Sequence, residues 1–162
     1  MAIRGGVFVG FFCVERRLLP FHPTSAEVGD LQRAIVRSNS PAMYDLFIEA
    51  KLPLKVMDVC RECILRHKVE LLRHVFPRLD ARTAFDLLCE VPQEAISSGA
   101  IGILDMYICE MNIIRLDGNA FVVAYAGRSR AVQFEVAWLK KNLLEVVAWL
   151  DRLGIQINKN AI

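Results

Sequence analysis

The side chains of this 162-residue chain best suited to chemistry are its five cysteines and three histidines, and four of these cluster: Cys60, Cys63, His67 and His74. A zinc site uses such residues, because thiolate and imidazole ligands complete a tetrahedron with bonds of about 2 Å. On one continuous helix Cys60 and His67 would stand about 10 Å apart, at a rise of about 1.5 Å per residue, too far for one ion. A turn near His67 could gather three of them and would still leave His74 beyond. Spacings of 3, 7 and 14 from Cys60 instead set all four on one helical stripe, the pattern of a packed face.

A cysteine nucleophile needs a base within hydrogen-bond reach. Cys63 and His67 are four apart and can touch on a helix, and the enzyme or metalloprotein reading rests on them together with Cys60. His22 lies in a proline-flanked segment ahead of the first expected helix. The sequence holds no phosphate loop, no Gly-x-Ser-x-Gly, no dinucleotide fingerprint and no His-Glu-x-x-His. Carboxylates are scattered singly along helix faces. The expectation is a chain with no catalytic residues, no metal and no cofactor.

The elements that must position these residues are read from helix punctuation. Thr24-Ser25-Ala26-Glu27 matches a capping box and predicts a helix over 27–37. Ser40-Pro41 predicts a second helix, ended before Pro53. Further short helices are expected over 59–66 and 68–76, with His67 between them. Asp80 should cap a stretch over 81–90, and Pro92 should open a brief helix ended by Gly99. Helices over 100–110, 120–126, 131–141 and 143–153 complete the reading, with Asp117-Gly118 a turn and Gly154 a left-handed stop. The sum is an all-α chain of short helices, too short to stand alone.

Lys and Arg number 20 against 18 Asp and Glu, a net charge of +2, so the basic surplus of a nucleic-acid binder is absent. Hydrophobic residues make up 54%, which excludes a disordered chain. Uncharged stretches such as 5–14, 95–104 and 118–127 run to only ten residues, short of the roughly 18–20 a membrane helix needs. The apolar run Val7–Val14 follows Arg4 but leads into Glu15-Arg16-Arg17 rather than a cleavage site. Residues 1–25 are therefore expected to form an apolar flap or strand, and 26–162 a helical repeat domain. Five scattered cysteines, Cys13, Cys60, Cys63, Cys89 and Cys109, suit a reducing compartment, so the chain is expected to be intracellular and cytoplasmic.

Four segments superpose as the second helix of a repeated pair, beginning at Met43, Leu71, Ile103 and Val146, with offsets of 28, 32 and 43. Together with Leu144–Asn158, which carries Leu-Glu-Val-Val, Gly154 and Asn158, and the Asp117-Gly118-Asn119-Ala120 turn, they resemble a degenerate ankyrin-repeat protein. No Thr-Pro-Leu-His opens any of the first helices, and the last offset implies an insertion between Gly127 and Ala137. The resemblance implies an ankyrin-like solenoid of about four stacked helix-turn-helix units and a non-catalytic protein–protein interaction module. The product would be of a large DNA virus or intracellular bacterium, acting on a host or pathogen factor and, if viral, in the host cytoplasm.

By that resemblance, contacts fall on inter-helix turns, and the candidates are Asp80, Arg82, Arg115, Asp117, Asn119, Arg128 and Arg130. The partner would be another protein or a second copy of the chain, with neither nucleic acid nor membrane. Trp138 and Trp149 read as packing between the last helices. The alternatives are a self-assembling structural subunit and a compact helical-bundle adaptor of death-fold or Bcl-2-like type.

Overall fold

The computed structural model describes residues 23–139 and 143–157. The expected flap over 1–25 lies outside the described residues but for its end. Helix α1 (Ser25–Ser38) opens on a complete capping box: the Thr24 hydroxyl accepts from the Glu27 amide at 3.2 Å, and Glu27 Oε1 accepts from the Thr24 amide at 2.8 Å. Asn39 ends α1 in the left-handed region, at φ 50°. Ser40 caps α2 (Pro41–Glu49), where a proline in the first turn lacks only an N–H the helix cannot use. Helices α3 (Val56–Leu65) and α4 (Val69–Val75) form a second hairpin, with His67 at φ 60° between them.

Asp80 starts α5 (Ala81–Ser98), and Gly99 at φ 77° turns the chain into α6 (Ile101–Asp105), which loosens into a π turn over Met106–Glu110. The break expected at Pro92 does not occur, and α5 runs through it. A proline inside a helix costs about 3 kcal/mol. Here it sits among buried Leu88, Val91, Ala95 and Ile96, each large aliphatic worth about 1.5–3 kcal/mol on burial, and that burial wins.

The hairpins stack in order, with α3 between α1 and α5 and with α4 against α2. Lys55 and Lys68 sit at the entries of α3 and α4 and supply no side-chain cap. The caps come from the neighbouring hairpin instead. Buried Gln32 accepts from the Lys55 amide at 2.7 Å, and Asn39 Oδ1 accepts from the Leu71 amide at 3.0 Å. His67 Nε2 donates to the Ser98 carbonyl at 2.9 Å, which ties the second turn to the end of α5.

The expectation of an all-α stack of repeats is overturned over residues 114–133. Strands β1 (Ile114–Asp117), β2 (Ala120–Tyr125) and β3 (Arg128–Gln133) form an antiparallel sheet in the order β1-β2-β3. The helices expected over 120–126 and 131–141 are β2 and the end of β3 with a 3-10 turn, Val136–Trp138. The sheet stands where a solenoid would place further helices, between the third and fourth of the superposed segments. The run Ala-Phe-Val-Val-Ala-Tyr has no clear period because β2 is buried on both faces at Phe121, Val122 and Val123. Its ends mark it as a strand: Gly118 at φ 62° and the pair Ala126-Gly127, at φ 51° and 78°, make two-residue hairpin turns.

Helix α5 packs beneath β2 and β3. Phe76 joins helices to sheet, its ring 5.4 Å from Tyr107 and 5.7 Å from Tyr125. Trp138 stacks on Phe121 at 6.3 Å, and the indole of Trp149, on α7 (Leu143–Leu153), donates to Asp105 Oδ1 at 3.0 Å. Both tryptophans are buried, and Trp138 lies in a 3-10 turn against the sheet and α5 rather than on a helix of its own.

The imported caps give a direct test. Asn39→Ala removes the acceptor for the Leu71 amide and strains a left-handed residue, and should cost about 1–3 kcal/mol in denaturant unfolding. Asn39→Gly restores the backbone freedom but not the acceptor, and should recover only part of that loss. Equal stability of Asn39→Ala and the parent chain would contradict the capping role.

Candidate interaction surface

The stripe of cysteines and histidines does not converge. Cys60 and Cys63 are fully buried on α3, and burial pushes each thiol up to about 12, so neither is a thiolate near neutrality. Around them the hydroxyls of Tyr44 and Tyr107 are buried without a hydrogen-bond partner among the described residues. His67 is turned to the Ser98 carbonyl and His74 to Asp45, whose Oδ1 lies 2.8 Å from its Nε2. Among the described residues no group of three or more His, Cys, Asp or Glu is placed to hold a metal ion.

A cleft of about 330 Å³ between α1 and α3 is lined by Gln32, Arg33, Asp58, Arg61, Glu62 and Leu65. Its arginines already meet carboxylates, Arg33 with Asp30 and Arg61 with Glu90, while Glu62 meets Arg66. That leaves little for a ligand to pair with.

The turn residues expected to meet a partner divide into two groups. Asp80 is the cap of α5, accepting from the Thr83 amide at 2.9 Å and the Thr83 hydroxyl at 2.7 Å. These bonds, the backbone one foremost, hold its carboxyl below the usual range. Asn119 is a clamp: its Nδ2 donates to the Gln156 carbonyl at 3.0 Å and its Oδ1 accepts from the Gln156 amide at 3.1 Å. Both therefore work for the fold.

The second group is exposed on or beside the sheet. The register sets Arg115 opposite Val122 and Asp117 opposite Ala120, which puts both on the outer face with Ser129, Ala131 and Gln133. Arg128, Arg130 and Val132 share the other face with Phe121 and Val123, toward α5. Arg130 lays its guanidinium over the Phe85 ring, 5.5 Å from the centroid, and Arg82 is one helical turn before Phe85. Arg128 and Arg130 thus share the face of β3 turned to α5, Arg82 sits on α5 one turn before Phe85, and Arg115 and Asp117 lie on the opposite face of the sheet. Arg82, Arg115 and Arg128 have no ion pair among the described residues.

Sequence reasoning missed Phe85, whose ring seats Arg130, and the backbone edge of β3. The signal for the edge was present in the two-residue loop Ala126-Gly127 followed by a short polar strand.

Compared with models of known protein families, with curated proteins and with solved structures, the chain matches none. Among the described residues no helix is long and apolar enough to cross a membrane.

Asp80 gives a pH-dependent test of its structural role. Its carboxyl is depressed in the fold, so its contribution is complete above the unfolded value of about 3.9 and is lost as pH falls through the folded value. Asp80→Ala should lower the melting temperature at neutral pH, and the gap to the parent should narrow as pH drops through the carboxylate range. A gap that widened on acidification would refute the cap.

Proposed function

We propose that this chain is a non-catalytic protein–protein interaction module and that it binds through its sheet end. The observation that carries the reading is the set of exposed arginines on or beside the sheet without a carboxylate partner among the described residues. Arg33, Arg61, Arg66, Arg73 and Arg78 in the helical part each meet a carboxylate, with Arg73 bound to Glu110 at 2.9 Å through Nη2. Among the described residues the exposed arginines Arg82, Arg115, Arg128 and Arg130 meet none, and neither do Arg37 on α1 and Arg152 on α7; the first four lie together on or beside the sheet. Arg82 and Arg128 are held on a rigid helix and strand with guanidinium donors open to a partner's carboxylates, which is where a charge-assisted contact orders the least extra chain.

Two further observations support a binding role over a catalytic one. The clustered thiols of Cys60 and Cys63 are buried and protonated, and His67 and His74 are turned to a carbonyl and to the Asp45 carboxylate. The exposed groups of the sheet end, arginines, a strand edge and short turns, are suited to recognition.

The test compares tagged full-length chains purified from the cells that make them, with bound proteins identified by mass spectrometry. Arg82→Glu with Arg128→Glu should abolish recovery of a partner held by the parent chain, while Arg115→Ala with Asp117→Ala reports on the opposite face. Recovery unchanged in both double variants, with folding intact by circular dichroism, would rule out the sheet end as the contact.

A further inference from the structure

We propose that the free edge of β3 receives an extended acidic segment of a partner protein as a fourth strand of the sheet, an inference that rests on the interaction reading above. β3 is the last strand in the order β1-β2-β3 and pairs only with β2 among the described residues. Which of its backbone groups are free follows from the turn. In a hairpin closed by two residues, the flanking pair bonds to itself, and bonded and unbonded pairs then alternate.

Tyr125 and Arg128 flank the turn, so Arg128, Arg130 and Val132 spend their amides and carbonyls on β2. The Phe134 amide donating to the Asn119 carbonyl at 2.8 Å continues the same alternation. Ser129, Ala131 and Gln133 therefore turn their amides and carbonyls outward, and all three residues are exposed. An extended chain laid along this row would find a donor and an acceptor at every second residue, the main-chain basis of strand addition.

The side chains decide which strand fits. On the face toward α5 the incoming strand meets Arg128 and Arg130, neither with an ion pair among the described residues. Arg130 is held from below by Phe85, so its guanidinium is partly ordered before any partner arrives. Carboxylates at alternate positions of the incoming strand would stand directly across from these arginines, the favourable cross-strand arrangement. On the outer face its side chains would pass Ser129, Ala131 and Gln133, which are uncharged and mostly small, so that face adds no charge preference.

A second copy of this chain is the poorer occupant. Edge-to-edge pairing of two β3 strands would set both pairs of arginines on one face of the joined sheet, where like charges repel. The same arginines thus discourage self-association and select acid.

The experiment uses the full chain and short fluorescent peptides that alternate threonine with glutamate or threonine with lysine, read by anisotropy. The glutamate peptide should bind saturably, and the lysine peptide should not. Ala131→Pro removes one outward amide without touching the ladder to β2 and should weaken the glutamate peptide by about tenfold or more. Arg128→Glu with Arg130→Glu should abolish that binding and favour the lysine peptide, which keeps the test decisive if Ala131→Pro fails to fold. No binding of the glutamate peptide, equal binding of both peptides, or indifference to a folded Ala131→Pro would overturn strand addition. If the peptide fails while cellular partner recovery still depends on Arg82 and Arg128, the edge is wrong and the interaction module stands. If recovery fails as well, both fall.

Discussion

The fold depends on the ends of its middle hairpin, α3 and α4, being capped by a neighbouring hairpin rather than by their own residues. Helices α3 and α4 begin at Lys55 and Lys68, which offer no side-chain acceptor, and neither helix is long enough to persist alone. Gln32 and Asn39, from the preceding hairpin, supply the missing acceptors to Lys55 and Leu71. His67 passes a donor on to the end of α5 at Ser98. Helix formation and hairpin stacking are therefore one event for α3 and α4, because these two complete their hydrogen bonding only against the preceding hairpin. The apolar interior of Ile35, Tyr44, Leu71, Leu72 and Leu88 closes around those contacts.

This frame presents the sheet. Helix α5 is the last of the stacked first helices and the floor under β2 and β3, so its sequence serves two packings at once. That double duty accounts for its length through Pro92 and for the placing of Phe85 beneath Arg130. The aromatic contacts of Phe76 with Tyr107 and Tyr125 fasten the sheet to the helices at a second point. A strand edge offered to a partner gains from such support, since a rigid edge loses less freedom on binding. Among the described residues most large apolar side chains enter this shared interior, and Met43, Leu46, Leu65 and Leu144 are left exposed.

Much of the helical part was legible because its signals are local. The Thr24 capping box, Ser40-Pro41, Asp80, Gly99 and Gly154 each mark a helix end by their own chemistry, and the helices lie close to where those residues put them. The sheet was not legible from periodicity, since a strand buried on both faces reads as an unbroken apolar run and Ala120–Tyr125 has no polar side to betray it. The extension of α5 past Pro92 depends on burial that no local rule reports. For the site, Arg82, Arg128 and Arg130 were named from their place near turns, but which face each occupies needed the strand register. Asp80 was legible as a cap, whereas Asn119 was named only as a contact and serves as a clamp on Gln156.

Residues 128–133 form an edge strand with one row of backbone groups bonded to β2 and the other row open among the described residues. Residue-resolved amide hydrogen exchange on the isolated chain tests it most directly. Exchange should alternate, slow at Arg128, Arg130 and Val132 and fast at Ser129, Ala131 and Gln133. Uniform protection across 128–133 would contradict it, since a helix or an edge already covered would shield every amide alike.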